Sequence, residues 1–153
     1  VTEFNYRFAE SAQAHVFVGI KLGEAAQKNA LVKRLRDEGY AVVDMAENEM
    51  AKMHVRYMVG GRAPAGLEHE RLYRFEFPER PGALMRFLDR MGSRWNISLF
   101  HYRNHGSDYG RMLAGIQVPP EDMERFQAFL DELGYVYFPE AANPAYGLFL
   151  GNR

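Results

Sequence analysis

Residues 1 to 8 alternate polar and apolar, with Phe4, Tyr6 and Phe8 opposed to Glu3, Asn5 and Arg7. That period of two predicts a half-buried strand. A turn at Ala9 to Gln13 leads into the β-rich run His15 to Ile20, so the pair reads as a hairpin. From Glu24 to Glu38 the period changes: Ala26, Ala30, Leu31 and Leu35 recur at helical spacing, and Gly39 stands where a helix C-terminus favours a left-handed residue. Tyr40 to Val43 then predicts a short buried strand.

The pattern recurs further along. Phe4-Asn5-Tyr6-Arg7 returns as Phe100-His101-Tyr102-Arg103, an offset of 100 − 4 = 96, and Gly19-Ile20 returns as Gly115-Ile116 at the same offset. Leu35, Gly39-Tyr40 and Asn48 return as Leu130, Gly134-Tyr135 and Asn143, an offset of 130 − 35 = 95. A one-residue slip of this kind is what a surface-loop deletion leaves. Around the second copy, Leu72 to Phe77 predicts a strand, and Pro78-Glu79-Arg80-Pro81-Gly82 turns into a helix with Pro81 at its first position and an apolar stripe of Leu84, Phe87, Leu88 and Met91. The hairpin Asn96 to Tyr102 and Tyr109 to Gln117, a helix Glu121 to Leu133 and a strand Tyr135 to Phe138 complete the unit.

The order strand, helix, strand, strand, helix, strand is the split-βαβ or ferredoxin-like one, an α+β class with both helices on one face of an antiparallel sheet. The first copy lacks the leading strand and helix, so the chain is expected to be cut from something longer. The expected organisation is a truncated unit at 1–46, a connecting segment and linker at 47–70, and a complete unit at 71–153. Within the connection, Glu47 to Met58 reads as helical through Met50, Met53 and Tyr57, or as a strand over Val55 to Val59. Tyr146 to Leu150 is expected to add an edge strand.

Composition narrows the chemistry. A net charge of −1 supplies no global field to recruit nucleic acid or an anionic membrane. No apolar run approaches the roughly 18 residues of a membrane helix. The absence of cysteine removes thiolate catalysis and Cys-ligated zinc, and fits a cytoplasmic protein. Nucleophile-elbow and Walker motifs are absent, Ser98 and Ser107 stand alone, and Lys21, Lys28, Lys33 and Lys52 show no desolvating surroundings. His101, His105 and Asp108 are the densest metal-type group, yet they span a strand end and a turn rather than one helix face, so the sequence predicts neither a catalytic residue nor a metal site. An RNA-binding unit shares the element order, but the near-neutral charge and missing aromatic signature oppose it.

The repeated Tyr-Arg pair is the best ligand candidate. Tyr6 and Tyr102 fall on the aromatic side of their strands, Arg7 and Arg103 on the polar side. One reading packs Tyr under a helix and pairs Arg with a surface carboxylate. The other has phenol and guanidinium hold a small carboxylate ligand beside the helix start at Gly82, where a missing Cβ permits close approach.

Pro81-Gly82-Ala83-Leu84, the stretch Trp95 to Arg103, the stretch His54 to Gly61 and Asn143-Pro144-Ala145 resemble the regulatory domain of the biosynthetic threonine dehydratases, with two tandem ACT-like units. The resemblance implies a parent enzyme that converts L-threonine to 2-oxobutanoate and ammonia with pyridoxal phosphate, bound in a catalytic domain absent from this chain. It implies isoleucine as inhibitor, valine as activator, and a tetrameric parent. It assigns effector binding to Tyr6, Arg7, Arg56, Gly82, Leu84, Leu88, Tyr102 and Arg103, with Leu88 also suited to the core. The chain itself is then expected to carry no cofactor and no deaminase activity, and Arg103→Ala or Tyr102→Ala in the intact enzyme is expected to weaken isoleucine inhibition. The rival expectation is an assembly module, since a missing strand and helix leave an open sheet edge.

Overall fold

The computed structural model describes residues 1–9, 12–104, 106 and 109–151. Its strands are β1 Glu3–Arg7, β2 Val16–Gly19, β3 Glu70–Pro78, β4 Asn96–Arg103, β5 Tyr109–Gln117 and β6 Val136–Pro139. Its α-helices are α1 Ala25–Asp37, α2 Arg56–Met58, α3 Ala83–Met91 and α4 Met123–Leu133. The strands form one antiparallel sheet in the order β2-β1-β4-β5-β3-β6. β1 and β4, the two copies of the aromatic repeat, are neighbours, so the two units share one sheet.

The seam between them is symmetric. Phe4 pairs with Tyr102, Asn5 with His101 and Tyr6 with Phe100. Exchanging each residue for its repeat counterpart, 96 positions away by 100 − 4, maps this ladder onto itself. A local two-fold axis therefore passes between Asn5 and His101, as in an isologous dimer made within one chain.

One face carries the core. Phe75, Phe87, Phe126, Met112 and Ile116 are fully buried there, with Trp95 edge-on to Phe126 at a 5.0 Å centroid distance. α4 starts after a 3₁₀ turn at Pro120–Asp122 and buries Phe126, Phe129, Leu130 and Leu133, the stripe its spacing predicts. Phe4 and Tyr6 pack against the rim of this core. A bulge between Ile97 and Leu99 keeps Ile97 on the core side while releasing Ser98.

The opposite face holds Glu3, Asn5, Arg7, Leu99 and Arg103, by strand alternation. Two π-helical turns cover it, Ala51–Val55 running on into α2, and Tyr146–Leu150. Their starts are repeat counterparts, 146 − 51 = 95. Each follows an asparagine whose side-chain oxygen accepts a backbone amide, Asn48 from Ala51 at 3.0 Å and Asn143 from Ala145 at 3.0 Å. We refer to 48–58 and 143–151 as the first and second straps. Ala51, Ala63, Leu72 and Leu99 are buried outside the main core.

Three local expectations are corrected. Tyr146–Leu150 is a π-helical turn rather than an edge strand, capped by a bond from Gly151 N to Tyr146 O of 2.7 Å. Tyr40 to Val43 forms no strand, and Tyr40 and Val43 are 62% and 72% exposed. Its counterpart β6 pairs with β3, and among the described residues no strand stands in the place of β3 in the first unit. Pro81 is not the first residue of α3. It occupies the second position of a turn closed by Ala83 N to Arg80 O at 3.0 Å, and Gly82 follows at φ 82° as the N-cap. Pro then Gly in these places gives a type II turn, which requires a positive φ at the glycine.

Candidate functional site

The effector candidates divide between the two faces of the sheet. On the core face Tyr102 is 4% exposed, and its hydroxyl donates to Glu79 Oε1 at 2.8 Å. Burial first, and then the Glu79 carboxylate, pushes this phenol up to about 12. Burial also raises the Tyr6 phenol. Leu84 and Leu88 are partly buried against the same core, and Gly82 turns the chain at the head of α3. No Cβ at Gly82 would meet an atom within 4 Å, so its glycine is explained by φ rather than by crowding.

The arginines lie on the other face and already have partners. Arg7 Nη1 donates to Glu70 Oε1 at 2.6 Å, with both side chains under 10% exposed at 8% and 4%, and Arg7 Nη2 donates to Leu150 O at 2.8 Å. The same Glu70 accepts from Ser98 Oγ and from Tyr146 OH at 2.8 Å. Burial, then the Glu70 carboxylate, pushes Tyr146 up to about 12. Glu3, 4% exposed, receives Arg103 Nη2 at 3.3 Å and Arg56. Both guanidiniums lie over the Tyr57 ring, Arg103 at 5.0 Å and Arg56 at 5.6 Å. Tyr and Arg of one motif therefore sit on opposite sides of the sheet and cannot grip a single carboxylate together.

Two glycines make this arrangement possible. A Cβ on Gly115 would lie 2.7 Å from Glu70 Oε1 and 2.9 Å from Ser98 Oγ. A Cβ on Gly19 would lie 2.6 Å from Glu3 Cγ. The repeated Gly-Ile thus floors two buried carboxylates, a role that a glycine in mid-strand announces. Sequence reasoning missed Glu3 and Glu70, because an acid in an alternating strand reads as solvated, and Glu79 and Tyr146, because a turn and a π-helical turn offer no period to read.

The remaining chemistry is sparse. Lys28, Lys33 and Lys52 pair with Asp44, Asp37 and Glu49 at the surface. Those hydrogen bonds raise Lys28 and Lys52, the opposite of what an imine-forming amine needs, so neither of these two fits a cofactor aldehyde. His105 and Asp108 lie outside the described residues, and among the described residues no three His, Cys, Asp or Glu side chains could hold a metal. No helix is long and apolar enough to cross a membrane among those residues. An open depression of about 400 Å³ is lined by His69, Arg94, Trp95 and Asp122, away from every effector candidate.

Two ferredoxin-like units sharing one sheet, with polar groups gathered at the seam, define a tandem ACT-like fold. The family model for the C-terminal regulatory domain of threonine dehydratase matches residues 1–55 and 61–150, and the chain belongs to that family. It is 54% identical over 151 residues to the biosynthetic L-threonine dehydratase IlvA of Escherichia coli K12, covering 98% of this chain and 29% of that protein. Against the IlvA of Burkholderia multivorans it is 53% identical over 150 residues, again 98% and 29%. Against the mitochondrial threonine dehydratase of Saccharomyces cerevisiae it is 43% identical, over 98% and 27%. The chain thus spans under a third of the length of these relatives.

Proposed function

We propose that this chain senses branched-chain amino acids on behalf of a cytoplasmic, tetrameric enzyme that deaminates L-threonine to 2-oxobutanoate with pyridoxal phosphate in a separate catalytic domain. Isoleucine inhibits and valine opposes it. The observation that carries the reading is the buried Tyr102 phenol bonded to Glu79 beside the Pro81-Gly82 turn. An amino acid needs an acceptor for its ammonium, donors for its carboxylate and an apolar wall. Glu79 supplies the first, the α3 amides that follow Ala83 supply the second, with the Tyr102 hydroxyl turning from Glu79 to the ligand carboxylate, and Leu84 with Leu88 supply the third. Tyr6 supplies a related but different environment in the first unit. Arg7, Arg56 and Arg103 act from the other face, by holding the strands that carry these phenols.

Regulation follows from differential affinity for two arrangements of the domains. Isoleucine and valine differ by one methylene, about 1–3 kcal/mol in an apolar pocket. Opposite effects then call for two non-equivalent sites or two pocket states, and two imperfect repeats provide the means. Calorimetric titration of the chain with isoleucine and valine tests the reading. Saturable heat that Tyr102→Phe weakens several-fold supports it, and heat unchanged in that variant, or absent with both ligands, overturns it.

A second reading, an assembly module, is favoured by one observation. Val16 and Val18 of the outer hairpin strand and Ile20 just after it are 43%, 40% and 42% exposed, and α1 buries none of its residues. Concentration-dependent dimers in sedimentation, without ligand heat, would support that reading instead.

A further inference from the structure

The arginines of the two Tyr-Arg motifs do not fasten their own units. Arg7 belongs to the first unit, yet it bonds Glu70 of β3 and Leu150 O of the second strap, and Glu70 in turn holds Tyr146 of that strap. Arg103 belongs to the second unit, yet it bonds Glu3 of β1, and it lies over the Tyr57 ring of the first strap. Glu3 is gripped from that strap by Arg56, whose carbonyl accepts from Asn5 Nδ2 at 3.3 Å. Both fastenings cross the local two-fold axis.

We propose that these are crossed latches, which make the straps a coupled pair: displacing one unit's Tyr-Arg strand releases the strap of the other unit. Neighbouring residues on a strand point to opposite faces, so a shift at Tyr6 or Tyr102 on the core side moves Arg7 or Arg103 on the strap side without any intervening hinge. Each latch is two-state, because a buried carboxylate, Glu70 or Glu3, either keeps its guanidinium or loses it. The latch on the first strap is the looser one. There two guanidiniums share one carboxylate, with side chains 32% and 22% exposed, against 8% for Arg7. The proposal concerns how the halves communicate and stands independently of which ligand binds.

Hydrogen exchange on the 153-residue chain, without ligand, decides it. The reporters for the second strap are the amides of Ala63, bonded to Leu150 O, and Gly151, bonded to Tyr146 O. Those for the first are Lys52 and Val59, bonded to Asn48 O and Val55 O. Arg7→Gln is expected to speed exchange at Ala63 and Gly151 by about tenfold or more, and at Lys52 and Val59 by less than about threefold. Arg103→Gln is expected to do the reverse. Tyr146→Phe, which removes one hydroxyl and leaves the ion pair, reproduces the Arg7→Gln pattern in weaker form and serves if that variant does not fold. Arg62 also bonds Gly151 O and Leu148 O, so Arg62→Gln calibrates a strap contact outside the latch. Loosening of the same-unit strap, equal loosening of both, or no change at either would each overturn crossed latching.

Discussion

Gly115→Ala tests the buried carboxylate reading with a single methyl group. The new Cβ would stand 2.7 Å from Glu70 Oε1, 2.9 Å from Ser98 Oγ and 3.0 Å from Leu99 Cβ. Leu99 is 2% exposed and anchored in β4, so the carboxylate is what gives way. Moving it strips Arg7 of its ion pair in a place where the guanidinium side chain is 8% exposed. Breaking a buried pair costs about 3–5 kcal/mol. Replacing glycine in a strand recovers about 0.5–1 kcal/mol of chain entropy. The expected net loss is therefore about 2–4 kcal/mol, or roughly 5–12 °C in Tm for a chain of this size. Urea unfolding monitored at Trp95 gives the free energy. A double-mutant cycle with Glu70→Ala isolates the cause: once the carboxylate is gone, the closest contact and the ion pair it disturbs are both removed, leaving Ser98 Oγ and Leu99 Cβ, and the cost should shrink by more than about half. A Gly115→Ala protein within about 0.5 kcal/mol of the parent, or a cost that persists unchanged without Glu70, would refute the argument.

Phe87→Ala removes a fully buried ring that touches Phe75, Phe100 and Phe129, and should cost about 3–5 kcal/mol in the same urea assay. Gly82→Ala forces a side chain to φ 82° and should cost about 1–2 kcal/mol, while Gly147→Ala, open on all sides, should stay near neutral. Tyr102 and Tyr146 are both held up to about 12 by burial and then by a neighbouring carboxylate. The unfolded phenols ionise near 10, so between about pH 10 and 12 the native state holds more protons and stability falls as pH rises. Thermal melts across that range should show the decline, and Tyr146→Phe should flatten it; a flat parent profile would contradict both assignments.

Much of this was legible because the alternation is strict where the sheet is half buried. Phe4, Tyr6, Phe100 and Tyr102 pack on the core side, as their period of two requires. The stripe of α4 emerges at its helical spacing for the same reason. The first strap was half legible, as the helical one of two readings of Glu47 to Met58, and the second was not, since a five-residue π turn has no amphipathic period to read and Tyr146–Leu150 is as apolar as an edge strand. The Tyr40 to Val43 expectation had sound local chemistry and lacked a partner strand, which no local pattern reports. The buried acids were hidden by the rule that acids face water, yet the repeated glycine stood beside them as a signal of close approach.

That glycine explains why the doubling matters more than either copy. In an ordinary strand a buried glutamate is a cost, and it is tolerated only when a guanidinium meets it. Here the guanidinium meeting Glu70 is supplied across the seam by Arg7 of the first unit. Glu3 is met across the same seam by Arg103, and by Arg56 of its own unit. Remove the first unit, and Glu70 is left buried over Gly115 with Ser98 and Tyr146 but no cation from β1. Tyr146 would then hold the strap through a carboxylate that has lost its counter-charge. The second unit has every strand and helix of its fold within residues 70–139, yet the cation that meets its buried Glu70 comes from the first. The two units are thus joined by exchanged charge on one face as well as by the β1–β4 ladder and the Phe4–Phe100 contact on the other. Separating them leaves an uncompensated buried ion in the second, so the pair is expected to fold and unfold together.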